Sequence, residues 1–116
     1  RLHELQPEVV INAAAYTAVD QAEDEAELAD RINHRAVAAM ARYARERKAL
    51  LVHYSTDYVF GGSGSRPYLE DDPAAPQSVY GRSKWAGEEA IRKADCAHII
   101  LRTAWVYGSR GRNFLL

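Results

Sequence analysis

Apolar positions along the chain fall into two rhythms, short β-branched runs and longer stretches with three- and four-residue spacing. Glu8-Val9-Val10-Ile11-Asn12, just after Pro7, is the first short run. It predicts a strand buried on both faces, as a parallel sheet requires. From Ala22 to about Arg47 the apolar positions Ala22, Ala26, Ala29, Ile32, Ala36, Met40 and Tyr43 predict one long amphipathic helix. Glu23, Asp24 and Glu25 in its first turn and Arg45, Arg47 and Lys48 in its last suit the helix dipole. Leu50 to Ser55 predicts the next strand, and a loop rich in Gly, Ser, Pro and Asp follows from about Gly61 to Gln77. A second helix is predicted from about Ser78 to Lys93. There Glu88/Arg92 and Glu89/Lys93 stand at i,i+4 in the favoured order and mark its solvent side. His98 to Arg102 predicts a third strand. The order β-α-β-α-β with right-handed crossovers is an α/β fold, part of a doubly wound parallel, Rossmann-like sheet.

No internal repeat or low-complexity segment interrupts this pattern. Three parallel strands leave open edges that a self-sufficient domain covers. Residues 1–116 are therefore expected to be one incomplete domain of a larger protein, or one completed by another copy, which allows a homodimer.

Composition narrows the field by exclusion. Fifteen basic side chains nearly balance sixteen acidic ones, for a formal charge of −1, so no general electrostatic case exists for nucleic acid or membrane partners. No apolar run nears the ~18 residues of a membrane span. The first residues lack the apolar core of a signal peptide, and a cytoplasmic location is expected. Cys96 is alone, so no disulfide framework or cysteine zinc set exists, and beside an apolar strand it reads as a small core residue. His3, His34, His53 and His98 have no metal-ligand spacing, and no metal site is expected.

Ligands of parallel α/β sheets sit beyond the carboxyl ends of the strands. Asn12–Asp20, Ser55–Phe60 and Thr103–Gly108 follow the apolar runs and are the segments of interest. The sharpest local feature is Tyr80-Gly81-Arg82-Ser83-Lys84. Four residues apart on a helix, the Tyr80 hydroxyl and Lys84 ammonium share one face. A phenol near pKa ~10 is a poor acid or base at neutral pH, and a nearby cation lowers that value. The structural alternative is that Tyr80 packs and Lys84 is solvated. Ser55 and Thr56 end the preceding strand, and a hydroxyl from either can bond a substrate carbonyl oxygen beside Tyr80. Such a set suits carbonyl reduction, with the hydride drawn from a cofactor. Asp57 can equally cap a turn, and Trp105 can be core. Asn33 can bond a neighbouring strand or face solvent, and Ser63-Gly64-Ser65-Arg66 reads as a flexible loop tip without a mechanism.

Four motifs in order carry a resemblance: Asn12-Ala13-Ala14-Ala15-Tyr16-Thr17-Ala18-Val19-Asp20, Ser55-Thr56-Asp57-Tyr58-Val59-Phe60-Gly61, the Tyr80–Lys84 segment, and Arg102-Thr103-Ala104-Trp105-Val106-Tyr107-Gly108. Nearly the whole chain resembles the extended short-chain dehydrogenase/reductase family and, within it, the dTDP-4-dehydrorhamnose reductases. The resemblance implies Thr56, Tyr80 and Lys84 as catalytic residues: Thr56 polarising the keto oxygen, Tyr80 supplying the proton, Lys84 lowering its pKa and holding the nicotinamide ribose. It implies Ala15, Tyr16, Thr17 and Tyr54, with Tyr80 and Lys84, against NADPH or NADH. Thr56, Asp57 and Trp105 would touch a dTDP-4-keto-6-deoxysugar, whose 4-keto group is reduced in dTDP-rhamnose biosynthesis. The resemblance leaves open two alternative functions, a related nucleotide-sugar epimerase or dehydratase and a non-catalytic regulatory subunit like that of methionine adenosyltransferase.

Residues 1–116 depart from that family's pattern in lacking its glycine-rich loop, the segment that chooses between NADH and NADPH, and the C-terminal substrate lobe. The glycine-rich loop on which the family binds pyrophosphate has no counterpart in residues 1–116, and Gly61-Gly62-Ser63-Gly64 follows a different strand.

Overall fold

The computed structural model describes residues 1–111. Helix α1 (Leu2–Leu5) leads into strand β1 (Val9–Asn12), and a short helix α2 (Val19–Ala22) follows. Helix α3 (Ala26–Asp30) continues through a π-helical turn, Arg31–Arg35, into α4 (Ala36–Arg47). Strand β2 (Leu50–Thr56), a 3₁₀ turn at Asp57–Val59, helix α5 (Val79–Ala94) and strand β3 (His98–Thr103) complete the order. The strands form a three-stranded sheet in the order β1-β2-β3, parallel throughout, with Ile11 opposite Val52 and Thr56 opposite Thr103.

Periodicity locates β1, β2, α5 and β3 to within a residue or two, misses α1 and the 3₁₀ turn, and needs two corrections. The single long helix predicted from Ala22 is broken at Glu23–Glu25. The acidic side chains there are occupied elsewhere: Glu23 Oε1 accepts from the Val79 backbone N–H at 2.8 Å, and the Glu25 carboxylate accepts from the Tyr16 phenol. The burial of β1 on both faces is not met within the chain. Val9 and Ile11 are exposed, as are Ile99 and Leu101 of β3, because α4 and α5 pack on one face of the sheet.

On that covered face, toward the amino ends of the strands, Val37, Ala41, Tyr43, Ala44, Leu51 and Ile91 form the main apolar cluster, and Cys96 joins it. Helix α5 approaches its neighbours very closely at two glycines. A Cβ on Gly81 would lie 2.4 Å from the Tyr58 carbonyl oxygen, and one on Gly87 would lie 2.3 Å from that of Asn33. Only glycine allows these approaches, which press α5 onto the turn after β2 and onto the π-helical turn. Ser78 caps α5, its Oγ accepting from the Gly81 N–H at 3.0 Å.

The predicted solvent side of α5 is half right. Glu89 and Lys93 are exposed, but Glu88 is fully buried, because its carboxylate is drawn inward by Arg102 and Ser55. The loop before α5 is also more ordered than its composition suggests. Arg66 grips Asp72 with both terminal nitrogens, at 2.7 and 3.0 Å, and Phe60 stacks on Tyr68 at 4.2 Å.

Candidate active site

The three strand ends open on one cavity of about 710 Å³, within the usual range of small-molecule sites. Its wall includes Ala15 and Thr17 after β1, Thr56 and Asp57 at the end of β2, Tyr80 and Lys84 on α5, and Trp105 after β3. The side chains singled out from sequence thus converge, with one exception. Tyr16 does not line the cavity. Its phenol donates to Glu25, a bond that with partial burial pushes its pKa up to about 12, and its ring packs with Ala22, Ala29 and Tyr80.

Between Ser55 and Thr56 the structure chooses. The Ser55 hydroxyl is already committed, donating to Glu88 Oε1 at 2.5 Å. The buried Thr56 hydroxyl accepts from the Tyr58 N–H and donates to Asp57 Oδ1, each at 3.2 Å, and it stands near enough to the Tyr80 phenol to draw that group's pKa down. The 3₁₀ turn at Asp57–Val59 therefore begins on a threonine cap, so the capping role open to Asp57 falls to Thr56. Tyr58 closes the group edge-on to Tyr80, with centroids 5.4 Å apart.

The electrostatics of Tyr80 differ from expectation. Burial pushes its phenol above the ordinary value and outweighs the opposing bond from Thr56. Lys84 is not among the groups that shift it, because its ammonium donates instead to the Tyr54 carbonyl oxygen at 2.6 Å. Burial lowers the Lys84 pKa, and the negative charge of Glu88 opposes that. The Tyr80 phenol is thus neutral and protonated at neutral pH. Lys84 has three N–H donors and uses one on Tyr54, so it can also hold a diol at the cavity wall.

Trp105 is not core: it is 77% exposed, lines the cavity, and has a left-handed backbone at φ 51°. The four histidines all have structural settings. His3 meets Tyr43 edge-on, His34 pairs with Asp30 at 2.8 Å, His98 lies 2.8 Å from the Cys96 carbonyl oxygen, and His53 is fully buried. Among the described residues no three His, Cys, Asp or Glu side chains gather as metal ligands.

Two residues matter more than sequence reasoning allowed. Asn33, on the π-helical turn, is buried. Its Oδ1 accepts from the Tyr16 N–H at 2.9 Å, and its Nδ2 donates to the Tyr16 carbonyl and to Ser83 Oγ, each at 3.0 Å. It fixes the loop after β1 against α5. Glu88 stands four residues beyond Lys84 and eight beyond Tyr80, a spacing that could have placed it on the inner face.

The whole of residues 1–116 matches the family described as the RmlD substrate binding domain. The chain is 51% identical over 110 residues to a dTDP-4-dehydrorhamnose reductase of Escherichia coli (strain K12), covering 95% of this chain and 37% of that protein. A solved dTDP-4-dehydrorhamnose reductase from Clostridium acetobutylicum superposes with a TM-score of 0.94 at 43% identity, over 98% of this chain and 40% of that one. Another, from Bacillus anthracis in complex with NADP, gives 0.94 at 42% identity, over 98% and 41%. The chain therefore spans about two fifths of the length of the relatives it matches. No helix among the described residues is long and apolar enough to cross a membrane.

Proposed function

We propose, since the chain belongs to the RmlD substrate binding domain family, that the full-length protein reduces the 4-keto group of a dTDP-linked 6-deoxysugar with NADPH or NADH. The observation that carries this reading is the meeting of Thr56, Tyr80 and Lys84 in one cavity at the strand ends. The bound nicotinamide would supply a hydride.

The donor set fits that cofactor. Lys84 offers spare N–H donors to a ribose diol, and Ala13 and Ala15 leave part of the wall free of bulky side chains for a planar ring. Thr56 donates to the keto oxygen, stabilising the negative charge that grows there as the carbonyl carbon becomes tetrahedral. Tyr80, held protonated by burial, gives its proton to that oxygen, and the product is an alcohol. Lys84, its ammonium directed to the Tyr54 carbonyl oxygen, would serve the cofactor ribose rather than tune the phenol. Asp57 and Trp105, which line the same cavity, would meet the sugar nucleotide.

The test is a turnover assay of full-length protein with dTDP-4-keto-6-deoxyhexose. Consumption of one NADPH or NADH per sugar reduced is expected. No reduced-cofactor consumption with that sugar, under conditions where cofactor binds, overturns the reading.

A further inference from the structure

One buried cluster takes part in none of these steps. Glu88 is 0% exposed and lies between α5, β2 and β3. Its Oε1 accepts from Ser55 Oγ at 2.5 Å and from Arg102 Nε at 3.0 Å. Its Oε2 accepts from Arg102 Nη2 at 2.7 Å and from Arg92 Nη2 at 2.9 Å. Burial alone would push the carboxyl up, but the bonds from Arg102 and Ser55 prevail and hold it below its ordinary value, so it is charged. Arg102 also donates to the Glu70 carbonyl oxygen at 3.1 Å, and its guanidinium lies 4.9 Å from the Phe60 ring centre.

Stability does not explain a buried pair of this kind. Desolvating two charges offsets most of their attraction, and well-packed apolar residues of similar volume often serve as well or better. Its placement points elsewhere. On α5, Tyr80, Lys84 and Glu88 succeed one another along a single face. On β2, Ser55 directly precedes Thr56. On β3, Arg102 directly precedes Thr103, whose Oγ1 donates to the Ser55 carbonyl at 3.3 Å and whose successors form the cavity wall up to Val106. One carboxylate therefore ties together the three elements that carry the site.

We propose that Glu88 is a positioning residue that, through Ser55 and Arg102, holds Thr56 and the wall after β3 in register with Tyr80 and Lys84. The proposal rests on the reductase reading above. Proton donation demands heavy-atom distances of about 2.6–3.2 Å, and a misplacement of ~1 Å can cost on the order of a hundredfold in rate.

Ser55→Ala in the full-length protein cuts the tie to β2 and leaves the Glu88–Arg102 pair in place. It is expected to lower kcat by about tenfold or more, with KM for the sugar within about twofold and an unchanged melting temperature. Glu88→Gln alone leaves a buried guanidinium without its counter-charge and can fail to fold. The double variant Glu88→Leu/Arg102→Met removes both charges. It is expected to melt near the parent temperature and still show the kcat deficit. Parent kcat in Ser55→Ala, or in the folded double variant, overturns the positioning role. Tyr80→Phe run alongside separates the two levels. An inactive Tyr80→Phe beside a fully active Ser55→Ala removes the positioning role alone, whereas a fully active Tyr80→Phe removes the reading beneath it.

Discussion

The layer between the sheet and its two long helices has two interiors that are equally dry and chemically opposite. Toward the amino ends of the strands, Val37, Ala44, Leu51 and Ile91 are fully buried and apolar. Toward the carboxyl ends, His53 and Glu88 are equally inaccessible, and Asn33, Thr56 and Lys84 nearly so. Burying the first group is favourable at roughly 25 cal/mol per Å² of apolar surface. Burying the second costs free energy unless each polar atom finds a partner. Among the described residues one buried side-chain atom lacks such a partner, His53 Nε2. Asn12 Nδ2 donates to His53 Nδ1 at 3.0 Å, which leaves the neutral ring's proton on that unpartnered nitrogen. The amino end is thus built for stability, and the carboxyl end spends some of it on geometry.

The contrast predicts that rate and stability separate along the strands. The largest effect expected in the full-length protein is from Thr56→Val, which removes the hydroxyl proposed to polarise the keto oxygen. Its kcat should fall about a hundred- to a thousandfold, equivalent to ~3–4 kcal/mol of barrier, with little change in melting temperature. Steady-state kinetics beside a thermal melt measure both. Leu51→Ala, in the apolar interior, should do the reverse. It should lower unfolding free energy by about 3 kcal/mol in urea titration while the folded protein keeps its kcat.

A smaller effect sharpens the contrast through pH. Burial, followed by the nearby charge of Lys84, depresses the folded His53 pKa from 6.5 to about 4. The unfolded chain therefore takes up a proton first as pH falls. The stability linked to His53 is fully present above about pH 6.5 and is lost as pH drops toward 4. Between pH 7 and pH 5 the parent should lose ~2 kcal/mol more than His53→Gln. Urea titrations at the two values give this difference, and parallel losses would show that His53 titrates normally in the fold.

Sequence periodicity was enough to place β1, β2, β3 and α5, because a buried strand or an amphipathic helix writes its partner's position into residue spacing. The convergence of Thr56, Tyr80 and Lys84 was also legible, since strand ends and an i,i+4 pair have fixed directions. What escaped depended on contacts distant in sequence. Glu88 read as a surface ion pair with Arg92 until Ser55, 33 residues earlier, and Arg102 turned it inward. Asn33 lay in what looked like ordinary helix, and the π-helical turn that presents it has no periodic signature. Tyr80 was expected to be made acidic by Lys84. Its net shift is upward instead, because that balance depends on burial and on where the ammonium points, and spacing reports neither.

The proton donor itself is the central claim, and single-turnover reduction by full-length Tyr80→Phe tests it most directly. With NADPH prebound and a dTDP-4-keto sugar mixed in, the variant should bind cofactor as the parent does. Its absorbance decay should be about a thousandfold slower, since the oxygen receives no positioned proton. Decay at the parent rate would contradict the account and leave Tyr80 as packing beside a site run by other groups.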